Sequence, residues 1–266
     1  MEVQHRGLIY SIINSIQKKS ELFEHSYARY AARSMLATLF LSMGVAIASY
    51  IANRADGIVM GSGKFFYAFM FSWSLVMIIY MNAELGTSNM MYMTEAIHRK
   101  ILKPGLALKI LGTCILFNFI GAVVFTFLLS FTDAYSHVTP DHYLIQAATA
   151  KLAKPPMTQL IEGIFANVIV NTAVFVSIRM KDDAGKVISM IFIIFIFAFL
   201  GFEHVIANFS TFSLAFFANG GPIEGMTVGS VLSNFFFSGI GNYIGGGLLI
   251  GLLYSWLNQS TDLYLD

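Results

Sequence analysis

Two short polar interruptions in otherwise apolar runs hold the residues best placed for chemistry: Glu84 within residues 82–89, and Glu203-His204 within residues 193–208. An ionisable group near the middle of a bilayer-length run costs about 2.5–3.5 kcal/mol on the insertion scale, so its presence points to a functional site. The sequence has six histidines (His5, His25, His98, His137, His142 and His204), and only His204 falls inside such a run. An imidazole stays neutral or takes a proton near physiological pH, which suits the handling of a weak acid or an anion. The plainer reading, a structural histidine satisfied by hydrogen bonds, is weakened by the adjacent Glu203, the preceding Gly201 and the matching interruption at Glu84. No second His, Cys or carboxylate stands at ligand spacing on the same helix, so neither a metal nor another cofactor is expected.

Glu84 and Glu203 would repel an anion if they faced it, and a carboxylate at that depth needs hydrogen-bond donors. Asn118, Asn167 and Asn242 lie within spans and each offers two. Both glutamates are therefore expected in a network supporting the interruptions. Thr87 and Ser88 bring hydroxyls to the first interruption. Phe71, Leu75, Phe197 and Phe202 lie within about two helical turns of a break and could form apolar constrictions, although ordinary packing explains any one of them equally well. Lys151 and Lys154 precede the fourth span, where most charges are simply solvated.

The elements that must hold these residues follow from composition. The 266 residues are 56% hydrophobic and 12% charged, with a mean hydropathy of +0.68. That describes an integral membrane protein, since soluble domains carry about 25% charged residues. Cys114 is the single cysteine, so no disulfide framework exists. No cleavable signal is evident at the start, and the spans themselves are expected to direct insertion. Residues 1–33 form an amphipathic segment. Leu8, Ile9, Ile12, Ile13 and Ile16 recur at helical spacing, as in a helix lying in the membrane interface. The transmembrane domain is expected over residues 34–257, followed by a tail over 258–266.

Six spans are expected: near residues 34–52, from about 65 with an interruption at 82–89 and apolar residues resuming at 90, then near 106–131, 160–178, 187–217 (broken at 201–204) and 231–256. Six spans put both termini on one side. Lysines and arginines crowd that side, before span one and after spans two and four. Only Arg54, Lys64, Lys151 and Lys154 fall on the other. The termini are therefore expected in the cytoplasm. The halves also repeat: each has a broken middle helix with one carboxylate at the break, and each ends in a span carrying Asn-aromatic-Ile-Gly, at 118–121 and 242–245. Three spans per half is odd, so the halves are inverted, and paired breaks in inverted halves point to a midplane site. Half-helices starting after each break would aim their positive ends at that site.

Several stretches resemble the formate/nitrite transporter family. Residues 82–88, Asn-Ala-Glu-Leu-Gly-Thr-Ser, are similar to its loop G-[AS]-[ED]-L-F-T-[GS], and residues 201–208, Gly-Phe-Glu-His-Val-Ile-Ala-Asn, to G-[FY]-E-H-S-I-A-N. Residues 241–246 resemble G-N-x-[IL]-[GS]-G, and Phe71-Ser72-x-Ser74-Leu75 looks like F-S-x-G-L. The resemblance covers about residues 30–257. It implies an all-α, aquaporin-like protomer of six helices, assembled as a homopentamer with one pore per protomer. The partners it implies are small monovalent weak-acid anions (formate, nitrite, hydrosulfide, acetate or lactate) and the lipid bilayer, not nucleic acid. Carried over by position, His204 is the central pore histidine and Thr87 the hydroxyl opposite it. Glu203 with Asn167 and Asn242 forms the network behind it. Phe71, Leu75, Phe197 and Phe202 lie at or beside constrictions, and Lys151 draws anions into a vestibule. The family's bulky Phe is Gly86 here, which implies a wider cytoplasmic constriction or a more mobile loop. Its Ser is Val205 and its first loop Gly is Asn82.

Rival classes fit less well. No proline follows an asparagine, so the Asn-Pro-Ala pair of a water or glycerol channel is missing. No nucleophile–base pair marks an enzyme. A sodium-coupled carrier would show itself by sodium-dependent flux.

Overall fold

The computed structural model describes residues 7–259, so His5, Arg6 and most of the expected 258–266 tail lie outside it. Among the described residues the fold is all helical, with six helices or helix pairs long and apolar enough to cross a membrane. The first span is α2 (Tyr27–Asp56), at 30 residues longer than the apolar run alone implied. A helix of that length rises about 45 Å, so its ends reach past the roughly 30 Å hydrocarbon layer. The second span is α3 (Gly63–Phe71) and α4 (Trp73–Tyr80), followed after a break by α5 (Gly86–His98). The third is α6 (Pro104–Ser130), started by a proline at its first helical position, where the missing N–H has no intrahelical partner to lose.

A short helix not anticipated from the sequence, α7 (Tyr143–Leu152), then precedes the fourth span, α8 (Pro156–Arg179). His142 caps α7, its Nδ1 accepting from Leu144 N. The fifth span is α9 (Asp183–Leu200), which breaks before α10 (Val205–Ala218). The sixth begins as α11 (Val228–Asn242) behind a Thr227/Ser230 capping box. It passes through a π-helical stretch, Tyr243–Leu252, and closes as α12 (Leu253–Leu257). Glycine is needed in that stretch: a Cβ on Gly246 would drive into the side-chain amides of Asn167 and Asn171.

The inverted repeat is visible in the packing. α2 lies along α6 in the first half and α8 along α11 in the second. Each half-helix after a break crosses over: α5 packs on the π-helical stretch and α10 on α6. The chain's two described ends meet on one side, where α1 (Leu8–His25) shares an apolar cluster with Ile178 and Tyr254.

The α1 helix corrects one expectation. Its apolar stripe does not face lipid; Leu8, Ile12 and Ile16 are buried against Tyr30, Met91, Met93, Val174 and Phe175. An amphipathic pattern is satisfied equally by a bilayer or by a protein surface, and here α2, α5 and the last turns of α8 supply the surface.

Candidate functional site

The site grows from the two breaks. At the second, Gly201 adopts φ +75°, a left-handed turn that glycine takes without strain. The chain then runs extended to His204, which caps α10: its Nδ1 accepts from Ala207 N at 3.1 Å. Its Nε2 lies 2.8 Å from Thr87 Oγ1. With Nδ1 accepting, the proton of a neutral ring sits on Nε2 and points to Thr87, an assignment that follows from the bonding pattern. Asn242 ties the break down. Its Oδ1 accepts from Val205 N at 2.8 Å, and its Nδ2 donates to Glu203 O (2.9 Å) and Gly163 O (2.8 Å).

The first break is its image. Asn82 takes φ +48°, a conformation that asparagine tolerates better than most side chains. Asn118 Oδ1 accepts from Gly86 N at 2.8 Å, while its Nδ2 donates to Glu84 O (2.9 Å) and Ser34 O (2.6 Å). These bonds satisfy the carbonyls that a broken helix strands in a bilayer. Asn167 links the two breaks, donating to Thr87 O at 3.1 Å and Asn242 O at 2.7 Å.

The carboxylates have other partners. Glu203, fully buried, accepts on Oε1 from Lys151 (3.0 Å) and Lys154 (2.7 Å), and on Oε2 from Asn208 (2.6 Å) and Asn234 (3.0 Å). Glu84 Oε2 accepts from Lys19 (2.6 Å) and Asn89 (2.9 Å). The two lysines at Glu203 differ. Burial, with Lys154 beside it, holds Lys151 below the usual lysine range despite Glu203. Burial also presses Lys154 down, but Glu203 and Glu162 outweigh it and leave Lys154 above its ordinary value.

Three cavities run end to end. On the side of the termini, about 250 Å³ is lined by Ser15, Lys18, Lys19, Arg33, Glu84 and Ser88. On the other side, about 290 Å³ is lined by Lys64, Tyr67, Tyr143, Lys151, Lys154 and Phe202. Between them lies a neck of about 20 Å³ walled by Leu41, Phe71, Ser74, Leu75, Ile78, Leu85, Val170, Ile194, Phe197 and His204. Phe71 and Phe197 meet edge to face with centroids 5.8 Å apart, and Phe197 lies 5.9 Å from the His204 ring. The half-helices α5 and α10 start beside the neck, so their positive ends favour negative charge there.

The chain matches the description "Formate/nitrite transporter" over residues 7–256. It belongs to the formate/nitrite transporter family. Its similarity extends to an uncharacterized transporter, YwcJ, of Bacillus subtilis, at 29% identity covering 91% of this chain and 93% of that one. The nitrite transporter NirC of Escherichia coli is 26% identical, covering 86% and 83%. Among solved structures, one described as an FNT family ion channel superposes with a TM-score of 0.87 at 21% identity, covering 94% and 98%. Another, described as a pentameric formate channel with formate bound, gives 0.71 at 18%, covering 88% and 98%. The fold is thus the family's aquaporin-like one, and the protein is a multi-pass membrane transporter.

Within this family member the geometry brings most of the expected site together, with three corrections. Asn118, Asn167 and Asn242 hold backbone carbonyls, not the carboxylates; Asn89, Asn208 and Asn234 serve those. Phe202 lies outside the neck, lining the larger cavity with its ring 6.1 Å from Phe165. Gly86 is at no constriction, because a Cβ there would meet Ile115, Asn118 and Ile206. Leu85, one residue earlier, walls the neck instead. Sequence reasoning also missed Lys19, Ser74 and the ion-pairing of Lys154. A usable signal existed for Asn89 and Asn208, since each follows its glutamate by five positions in mirrored motifs.

Proposed function

We propose that the protein is a channel for small monovalent weak-acid anions, formate or nitrite foremost, with hydrosulfide, lactate or acetate as alternative permeants of the same kind. It works in the cell membrane with both termini in the cytoplasm, as a homopentamer with one pore per protomer, and it is not an enzyme. The observation that carries this reading is the neck. A mostly apolar passage of about 20 Å³ sits between two lysine-lined cavities of about 250 and 290 Å³, with two half-helix N-termini and His204 at its wall.

The cationic cavities and the helix ends concentrate the anion. A bare charge entering the apolar neck loses its hydration, which costs several kcal/mol if nothing replaces it. A permeant that takes a proton, or that shares one through a hydrogen bond, crosses with much of that cost removed. The geometry supports His204 as a neutral group that orients the permeant. Its Nδ1 is held by Ala207 N–H, so protonating that nitrogen means giving up the α10 cap. The Nε2–H and the Thr87 hydroxyl form the polar pair beside the passage.

Reconstitution into liposomes tests this. Fluxes of formate, nitrite, hydrosulfide and lactate, compared at two pH values, are expected to rise at the lower pH for the preferred permeants. His204→Asn should reduce flux by about tenfold or more, the scale of a loss of 1.4 kcal/mol in barrier stabilisation. Full transport with unchanged pH dependence in that variant would remove the histidine from the mechanism.

A further inference from the structure

One residue of the neck carries a hydroxyl that the mechanism above does not use. Ser74, on α4, lines it together with Phe71, Leu75, Phe197 and His204, and is 1% exposed. Among the described residues, Ser74 Oγ is the one fully buried hydroxyl oxygen with no hydrogen-bond partner. Its neighbours behave otherwise: Ser72 Oγ donates to Ala68 O at 2.7 Å, Thr211 Oγ1 donates to Ala207 O at 3.0 Å, and Ser42 pairs with Ser210 at 3.0 Å. An unpaired buried hydroxyl is a net cost to the fold that an alanine would not carry. Room is made for it nonetheless. Gly44 on α2 faces it, and a Cβ on Gly44 would overlap Ser74 Oγ.

Both ring nitrogens of His204 are engaged, Nδ1 by Ala207 N–H and Nε2 by Thr87. The other wall residues are apolar, so Ser74 is the uncommitted hydrogen-bonding group of the neck. We propose that Ser74 Oγ is a permeant subsite that binds an oxygen of the passing species and so favours oxyanions over hydrosulfide. This rests on the channel function proposed above. The neck's walls are mostly apolar, so a permeant sheds water there and the few polar wall groups must replace the lost hydrogen bonds. A hydroxyl can donate to an anionic oxygen or accept from the O–H of a neutral acid, so one group serves formate or nitrite in either form. The Oγ rests against Gly44 on α2, and turning about the Ser74 Cα–Cβ bond to meet the permeant breaks no existing hydrogen bond. Sulfur hydrogen-bonds weakly, so hydrosulfide gains little from the contact.

The test compares fluxes of formate, nitrite and hydrosulfide through wild-type, Ser74→Ala and Ser74→Cys protein in liposomes, each first checked for a monodisperse size-exclusion profile. Ser74→Ala is expected to lower the formate-to-hydrosulfide and nitrite-to-hydrosulfide ratios about 2- to 10-fold, the worth of one net hydrogen bond. Ser74→Cys, which keeps a weak donor, should fall between. A ratio that stays at the wild-type value, or an equal fall in all three fluxes, overturns the subsite, because a packing role would not discriminate oxygen from sulfur. Wild-type protein that carries none of the three overturns the channel reading and the subsite with it.

Discussion

Replacing Lys19 with methionine should destabilise the protein through a residue 65 positions away. Lys19 Nζ lies 2.6 Å from Glu84 Oε2, and the two side chains are 14% and 6% exposed. Methionine keeps most of the apolar stem, which lies against Tyr92 (the Lys19 ammonium sits 4.9 Å from that ring), while removing the charge. Glu84 then keeps a single side-chain donor, Asn89. Breaking a buried pair by deleting one partner costs about 3–5 kcal/mol. Because Lys19 lines the water-accessible cavity, the lower end applies, about 3 kcal/mol. For a chain of this size that is a fall in melting temperature of roughly 6–12 °C, read by thermal unfolding in detergent. Glu84→Gln in the same background should restore much of the loss, since no unpaired charge remains, giving a coupling of about 2 kcal/mol in a double-mutant cycle. Additivity of the two substitutions within about 0.5 kcal/mol would show that the pair is not what fixes α1 to the first break.

Two further outcomes follow from the geometry. Burial holds His142, the α7 cap outside the spans, below its ordinary value of 6.5, with Asp141 opposing only in part. A histidine kept neutral by the fold lets the unfolded chain bind more protons, so stability is full above pH 6.5 and falls as pH drops below it. His142→Asn can still cap Leu144 N but does not titrate, and its melting temperature should change less between pH 7 and pH 5 than that of the wild type; parallel curves would refute the assignment. Phe71→Ala should open the neck, because Phe71 forms half of its aromatic pair with Phe197. The lactate-to-formate flux ratio is expected to rise about tenfold for each 1.4 kcal/mol removed from the larger anion's barrier, and an unchanged ratio would place the selecting step elsewhere.

The spans, the two breaks and their inverted relation were legible because apolar length and its interruption are strong, local signals. The four-residue repeat even located Asn118 and Asn242. Their partners were misjudged because the sequence alone cannot separate a glutamate's carboxylate from its backbone carbonyl, and both needed donors. Gly86 misled for a different reason. The resemblance sets a bulky Phe at its position, which implied a constriction there, but at the first residue of α5 the Cβ direction turns toward α6 and Asn118, leaving Leu85 to face the neck. Lys19 had no local signal at all: on an amphipathic helix it reads as a solvated flank, and only the docking of Leu8, Ile12 and Ile16 brings it to Glu84.

That docking extends the repeat by one element. Each half was read as three spans, yet each buried glutamate is neutralised by lysine from the segment immediately before its half: Lys19 from α1 ahead of α2, and Lys151 with Lys154 from α7 and its exit ahead of α8. α1 and α7 are therefore counterparts, one on each side of the membrane. The two differ in how firmly they hold. Glu203 takes two lysines and two asparagines, whereas Glu84 takes one of each. Losing one cation leaves Glu203 still ion-paired, whereas Glu84 keeps only the Asn89 amide. The lysine that guards it rides on α1, which joins α2 through Ser26. With fewer partners at Glu84, the backbone amides of residues 84–86 are expected to exchange with solvent faster than those of residues 203–205, and the reverse order in a hydrogen-exchange measurement would refute the argument.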